Sequence, residues 1–192
     1  MRIMASVVVV GVLVSSLTLL AQDRPSIEAQ IHKWQHDLAR NPKDYQTLAA
    51  IGAAYGKLGE NATAVRYFNK AIAVNPSYAE AYLGLGSAYG FLRRSSEATA
   101  ALRKAVSLDP KNPYARAKLG STLGKAGQYG AAVTELKEAV RLKPDLVDAH
   151  FGLGLAYLSL GDRRQAVAEV DTLSRLDPQL ARQLQNLVEQ SR

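Results

Sequence analysis

Few residues in this chain could do chemistry, and their spacing restricts what that chemistry would be. It has three histidines, His32, His36 and His150, and no cysteine. Thiolate nucleophiles, thiolate metal sites and disulfides are therefore excluded. His32 and His36 stand four residues apart, the spacing that puts two imidazoles on one helical face and suits a two-histidine metal site. No glutamate lies between them, and the only nearby carboxylates are Glu28 and Asp37. They read as solvated side chains beside Trp34, and no serine has a histidine in a relation that would make it a nucleophile. Two glycine patterns approach phosphate cradles and miss. Gly84, Gly86 and Gly90 follow GxGxxxG, one residue longer than a dinucleotide fingerprint and without a preceding strand. The run Gly120 to Lys125 has three intervening residues where a phosphate loop needs four, and Ala126 stands where the hydroxyl residue belongs. No catalytic residue, metal ligand or cofactor is assigned, and the chain is expected not to be an enzyme.

The elements that would have to position any site follow from a repeat. Pro42, Pro76, Pro110, Pro144 and Pro178 recur at one constant interval without insertion. In the same frame Gly52, Gly86, Gly120 and Gly154 coincide, as do Ala64, Ala98, Ala132 and Ala166. Ile51, Leu85, Leu119 and Leu153 form an aliphatic column, and Phe68, Leu102, Leu136 and Val170 an apolar one. Within each unit the apolar spacing is helical twice, as in Leu48, Ile51 and Tyr55 followed by Ala64, Phe68 and Ala71. Gly59, Gly127 and Gly161 fall where a first helix ends in a left-handed residue. Arg93 holds that place in the second unit, which predicts a turn there that is strained or closes differently. The glycines at Gly86 and its equivalents read as places of close helix approach, a packing gain that offsets about 1 kcal/mol of lost helix propensity each.

These columns resemble the tetratricopeptide repeat (TPR) family, whose 34-residue helix-turn-helix units they match. The resemblance implies an all-α, right-handed superhelical solenoid. Four units are expected at 45–78, 79–112, 113–146 and 147–180, between an N-terminal capping helix in 22–44 and a C-terminal one in 179–192. The first cap carries Ile27, Ile31, Trp34 and Leu38 on one stripe, and the second covers the open apolar face of the last unit. The family's usual tryptophan column reads Leu48, Tyr82, Arg116 and His150, which predicts looser packing in the third and fourth units.

The resemblance also implies a binding surface, because first helices of successive units line the concave side in this family. Transferred by column, that side carries Ala49, Leu83, Ala117 and Phe151, with Ala53, Ser87, Ser121 and Leu155 a turn further on. Lys57, Phe91 and Lys125 follow, and Tyr114 and Lys118 complete the expected groove. Such a surface suits a protein or peptide partner whose apolar side chains enter while its acidic groups meet the lysines. Phe91, Phe151 and Leu155 could equally pack on neighbouring helices or the C-terminal cap. The lysine and asparagine set with which some members hold a terminal carboxylate is matched only at Lys118.

Composition and the N-terminus supply the setting. Lys and Arg number 24 against 17 Asp and Glu, a net charge of +7, scattered with no long block of one sign. That distribution argues against nucleic acid as the main partner. The alternative function is a basic surface for an anionic polymer, either nucleic acid or envelope glycan, on pairs such as Arg93-Arg94 and Arg163-Arg164. Arg2 precedes an uncharged, mostly apolar run from Ile3 to Ala21, followed by Asp23. Residues 1–21 thus read as a signal peptide or a retained N-terminal anchor. Either way the rest is expected outside the cytoplasm, periplasmic or secreted, with membrane contact only through that segment if it is uncleaved.

Overall fold

The computed structural model describes residues 23–191, and all regular structure among them is α-helical. The expected signal peptide or anchor, residues 1–21, lies outside the described residues. Among those described, no helix is long and apolar enough to cross a membrane. The chain divides after Pro76 into two compact units.

The first unit holds α1 (23–40), α2 (Tyr45–Lys57) and α3 (Asn61–Val74). The stripe expected on α1 is its packed face: Ile31 is buried with Ile51 and Ala54 of α2, and Ile27, Trp34 and Leu38 pack against that cluster. Helix α2 begins where Asp44 Oδ1 accepts hydrogen bonds from the amides of Gln46 and Thr47, both at 3.1 Å. The Thr47 hydroxyl also donates to Asp44 Oδ2, and Thr47's side-chain and backbone bonds hold the Asp44 carboxyl below the usual carboxylate range.

The second unit stacks seven helices: α4 (Ala79–Phe91), α5 (Ser95–Leu108), α6 (Pro113–Lys125), α7 (Tyr129–Leu142), α8 (Val147–Ser159), α9 (Arg163–Leu176) and α10 (Pro178–Gln190). Each packs on its neighbour in sequence, and α4, α6, α8 and α10 also touch in series, whereas α5, α7 and α9 do not touch one another. The unit is thus two-layered, with one layer of first helices in mutual contact and one of second helices behind it. Asn112 and Asp177 cap α6 and α10, each followed by a proline in the first turn, where no amide proton is needed. Of the repeated prolines only Pro178 starts a helix; Pro42, Pro76, Pro110 and Pro144 lie in the turns between helices.

The glycine column works by side-chain insertion. A Cβ on Gly86 would lie 2.6 Å from Leu102 Cγ of α5, and one on Gly120 would lie 2.6 Å from Leu136 Cγ of α7. What approaches closely is chiefly a leucine of the second helix, with the Ala98 carbonyl oxygen next at 3.2 Å from the Gly86 position. At Gly154 the filler changes. Val170 holds the equivalent place on α9, but Leu184 of α10 occupies the space instead. The terminal helix therefore inserts into the last unit, burying Leu184 with Leu173 and Ala181. Leu176, at the other end of the expected covered stripe, stays 38% exposed. The expected backbone strain is present: Arg93 has φ 59°, where Gly59, Gly127 and Gly161 have 79°, 76° and 77°.

Candidate functional site

In the second unit a cavity of about 900 Å³ opens over α6, between α4 and α8. Thirteen-residue first helices in a fixed repeat frame bring equivalent turns side by side, so α6 forms the floor and its neighbours the walls. Of the residues expected in the groove, Tyr114, Ala117, Lys118, Ser121 and Lys125 line it from α6. Ser87 and Phe91 line it from α4, and Phe151 and Leu155 from α8.

The remaining expected residues sit elsewhere. Leu83 is half-buried and packs against the large core cluster that includes Leu119 and Leu153, so it contributes to the interior rather than the cavity lining. Ala49, Ala53 and Lys57 are on α2, in the first unit. Ala49 is buried there, whereas Ala53 and Lys57 are exposed. Phe151 has two surfaces, since it lines the cavity and also packs against Leu173 and Leu184. Phe91 is 73% exposed and Leu155 37%, so neither is consumed by packing on a neighbour.

The polar groups of the lining are mostly spoken for. The Ser87 and Ser159 hydroxyls donate to the carbonyls four residues back, Leu83 and Leu155, at 3.0 Å each, and Thr122 donates to Lys118 at 2.8 Å. Tyr114 Oη accepts from Lys143 Nζ at 2.6 Å, and that bond holds the Lys143 ammonium above its usual range. Lys118 and Lys125 are exposed, two helical turns apart on the floor, and make no ion pair among the described residues. Asp148 is the one carboxylate of the lining. The arrangement offers apolar contact and two unpartnered cations, with no nucleophile and base set against each other. Among the described residues no group of three or more acidic or histidine side chains could hold a metal ion.

Sequence reading missed Leu180 and Leu187 of α10, which also line the cavity. Leu180 stands one repeat length after Leu146, another lining residue, so extending the frame into the cap reaches it, whereas Leu187 follows the buried Leu153 and departs from its column. It also misjudged Arg116 and His150. Arg116 donates to Glu135 Oε2 at 2.8 Å and to the Pro110 carbonyl at 2.9 Å. His150 Nδ1 lies 2.7 Å from Glu169 Oε2, and its Nε2 lies 2.8 Å from the Pro144 carbonyl. Every member of one set is one repeat length from its counterpart in the other. The expected loosening is replaced by a repeated polar clasp between first helix, second helix and the preceding loop.

Comparison with known proteins agrees with this geometry. Family models described as TPR repeat match residues 52–90 and 125–161, and models described as tetratricopeptide repeat match 79–112, 147–180 and 101–134. Together they run unbroken over more than half of the chain. No curated protein matches the sequence. Among solved structures, MamA superposes with a TM-score of 0.73 at 26% identity, covering 84% of this chain and 95% of that one. YrrB, described as a TPR protein with an unusual peptide-binding site, has a TM-score of 0.71 at 20% identity over 88% of each chain. TTC0263, a TPR protein of Thermus thermophilus, has a TM-score of 0.68 at 23% identity, covering 91% of this chain and 94% of its own. The helical solenoid, the unbroken repeat frame and the family models lead to one statement: the chain belongs to the tetratricopeptide repeat family.

Proposed function

We propose that this protein is an interaction scaffold that holds a peptide segment of a partner protein in the groove over α6, and that it does so outside the cytoplasm. The observation that carries the reading is the lining itself. An exposed aromatic at Phe91, the apolar side chains of Phe151 and Leu155, and the unpartnered Lys118 and Lys125 surround small residues that let a backbone approach. A segment with apolar anchors and acidic flanks is complementary to that surface. A small-molecule site would present several convergent hydrogen-bonding groups. Here the Ser87, Thr122 and Ser159 hydroxyls are already bonded to their own helices. The extracytoplasmic setting is supported by the sequence of residues 1–21 alone. Selection of a random peptide library on the immobilised full chain tests the reading. Enriched peptides should combine apolar residues with Asp or Glu and should crosslink to a photoreactive group placed at Ser121. Enrichment of peptides that crosslink only outside the groove would overturn it.

A further inference from the structure

A second surface lies beside the groove, at the turns that join first to second helices. Gly90 and Phe91, Gly124 and Lys125, and Leu158 and Ser159 all border the same cavity, so the C-terminal ends of α4, α6 and α8 share one rim. Exposed apolar side chains stand at these helix ends and in the turns that follow: Phe91, the last residue of α4, is 73% exposed, Leu92 36% and Leu160 52%. Beside them stand Arg93, Arg94, Lys125, Arg163 and Arg164. The two carboxylates of this rim are already engaged. Glu97 is paired with Arg94 at 2.7 Å, and Asp162 accepts the Gln165 amide at the start of α9. Arg93, Lys125, Arg163 and Arg164 have no partner among the described residues. The turns at the other end of the helices differ, since Asp109, Asp145 and Asp177 there offset Lys111 and Lys143.

Arg93 adds an independent sign. Its left-handed backbone is strained for a residue with a side chain, whereas the third and fourth units hold glycine at that place. The strained choice adds a cation beside Leu92. Charge alone would suit any polyanion. Leucine and phenylalanine tips between free guanidinium groups suit a bilayer, whose acyl boundary accepts the apolar tips while its phosphates meet the arginines. We propose that this rim docks the second unit onto an anionic phospholipid surface, with Phe91, Leu92 and Leu160 entering the interface and Arg93, Arg163, Arg164 and Lys125 holding the headgroups. The contact is separate from any membrane attachment through residues 1–21, and it shares Phe91 and Lys125 with the groove.

The chain has no cysteine, so one introduced thiol labels one place. Two full-length variants, Leu92→Cys and Lys111→Cys, each carrying an environment-sensitive fluorophore, are titrated with vesicles of phosphatidylglycerol and phosphatidylcholine. Position 92 should shift to the blue and position 111 should not, and pure phosphatidylcholine should give a much weaker response. An anchor in residues 1–21 would carry both labels to the bilayer alike, so the difference between positions reports the rim. Adding Arg93→Gly with Arg164→Gln should weaken the position-92 response about 25-fold, at about fivefold for each basic residue. Equal shifts at both positions would overturn the proposal, as would an equal response to neutral vesicles or an undiminished response in the doubly substituted protein. So would a lipid-free oligonucleotide that moved the position-92 signal as vesicles do, which would make the rim a nucleic-acid surface.

Discussion

Leu153 and Leu155 are two residues apart on one helix and occupy opposite environments: the first is 1% exposed among Leu119, Leu136 and Ala166, and the second is 37% exposed at the mouth of the groove. The side chains are identical, so residue type carries none of the difference. Register carries all of it. A first helix in a repeat array must bury one face against its own second helix, and its neighbours in the layer cover the flanks only partly. The face left over keeps apolar side chains such as Phe151 and Leu155 at least partly exposed beside Lys118, Ser121 and Lys125.

The sharpest way to separate the two faces is to empty the buried one. Leu153→Ala and Leu184→Ala should each cost about 2 to 5 kcal/mol, because each removes a fully buried side chain from a close-packed site. Chemical denaturation would show the loss. Leu184→Ala has a further use, since Leu184 fills the space over Gly154; full stability in that variant would mean that α10 is not an integral cap. Leu83, counted with the groove by its column, should behave partly like these core residues when changed to serine, because it packs on the same cluster.

A smaller loss is expected at the polar clasps, where hydrogen-bonded polar pairs stand in place of leucine. Glu169→Ala leaves His150 without its carboxylate, and Glu135→Ala does the same to Arg116, with both pairs largely shielded from water. Each should cost about 1 to 3 kcal/mol, the range for a buried polar group that loses its partner. A change below about 0.5 kcal/mol would show that the clasps are incidental surface pairs.

The smallest effect should be a gain. Arg93→Gly relieves a left-handed side-chain penalty of about 1 to 2 kcal/mol and gives back about 0.5 to 1 kcal/mol in backbone entropy. A net stabilisation of about 0.5 kcal/mol is the expected result in thermal melts, and destabilisation would show that the Arg93 side chain makes a stabilising contribution of its own.

Much of the architecture was legible because an insertion-free repeat makes each unit a check on the others. The unusual turn at Arg93 was visible only by comparison with Gly59, Gly127 and Gly161. The α6 positions expected in the groove came instead from the family resemblance, transferred column by column, and they line the cavity. What escaped depended on pairs of columns. Arg116 and His150 looked like poor substitutes for tryptophan when read alone, and their partners Glu135 and Glu169 lie on the following helix, in a different column of the repeat. Likewise Leu83 and Phe151 share a column, but only Phe151 lines the cavity, because the side chains packed against the two positions differ. The filling of Gly154 by the terminal helix broke the pattern set by Leu102 and Leu136, and no single column could announce it.

The central claim is that the outward face of α6 and α8 is a peptide site, and the affinity of one library-selected peptide measures it most directly. Fluorescence anisotropy with the parent chain, Leu155→Ser and Lys118→Ala gives the comparison, and far-UV circular dichroism confirms that each variant is folded. Substitution of an exposed residue should move stability by less than about 0.5 kcal/mol. Loss of an apolar anchor should weaken binding about tenfold or more, and loss of the cation should reduce the preference for acidic peptides. Undiminished affinity in a fully folded Leu155→Ser, Lys118→Ala double variant would contradict the account and place the peptide on another surface.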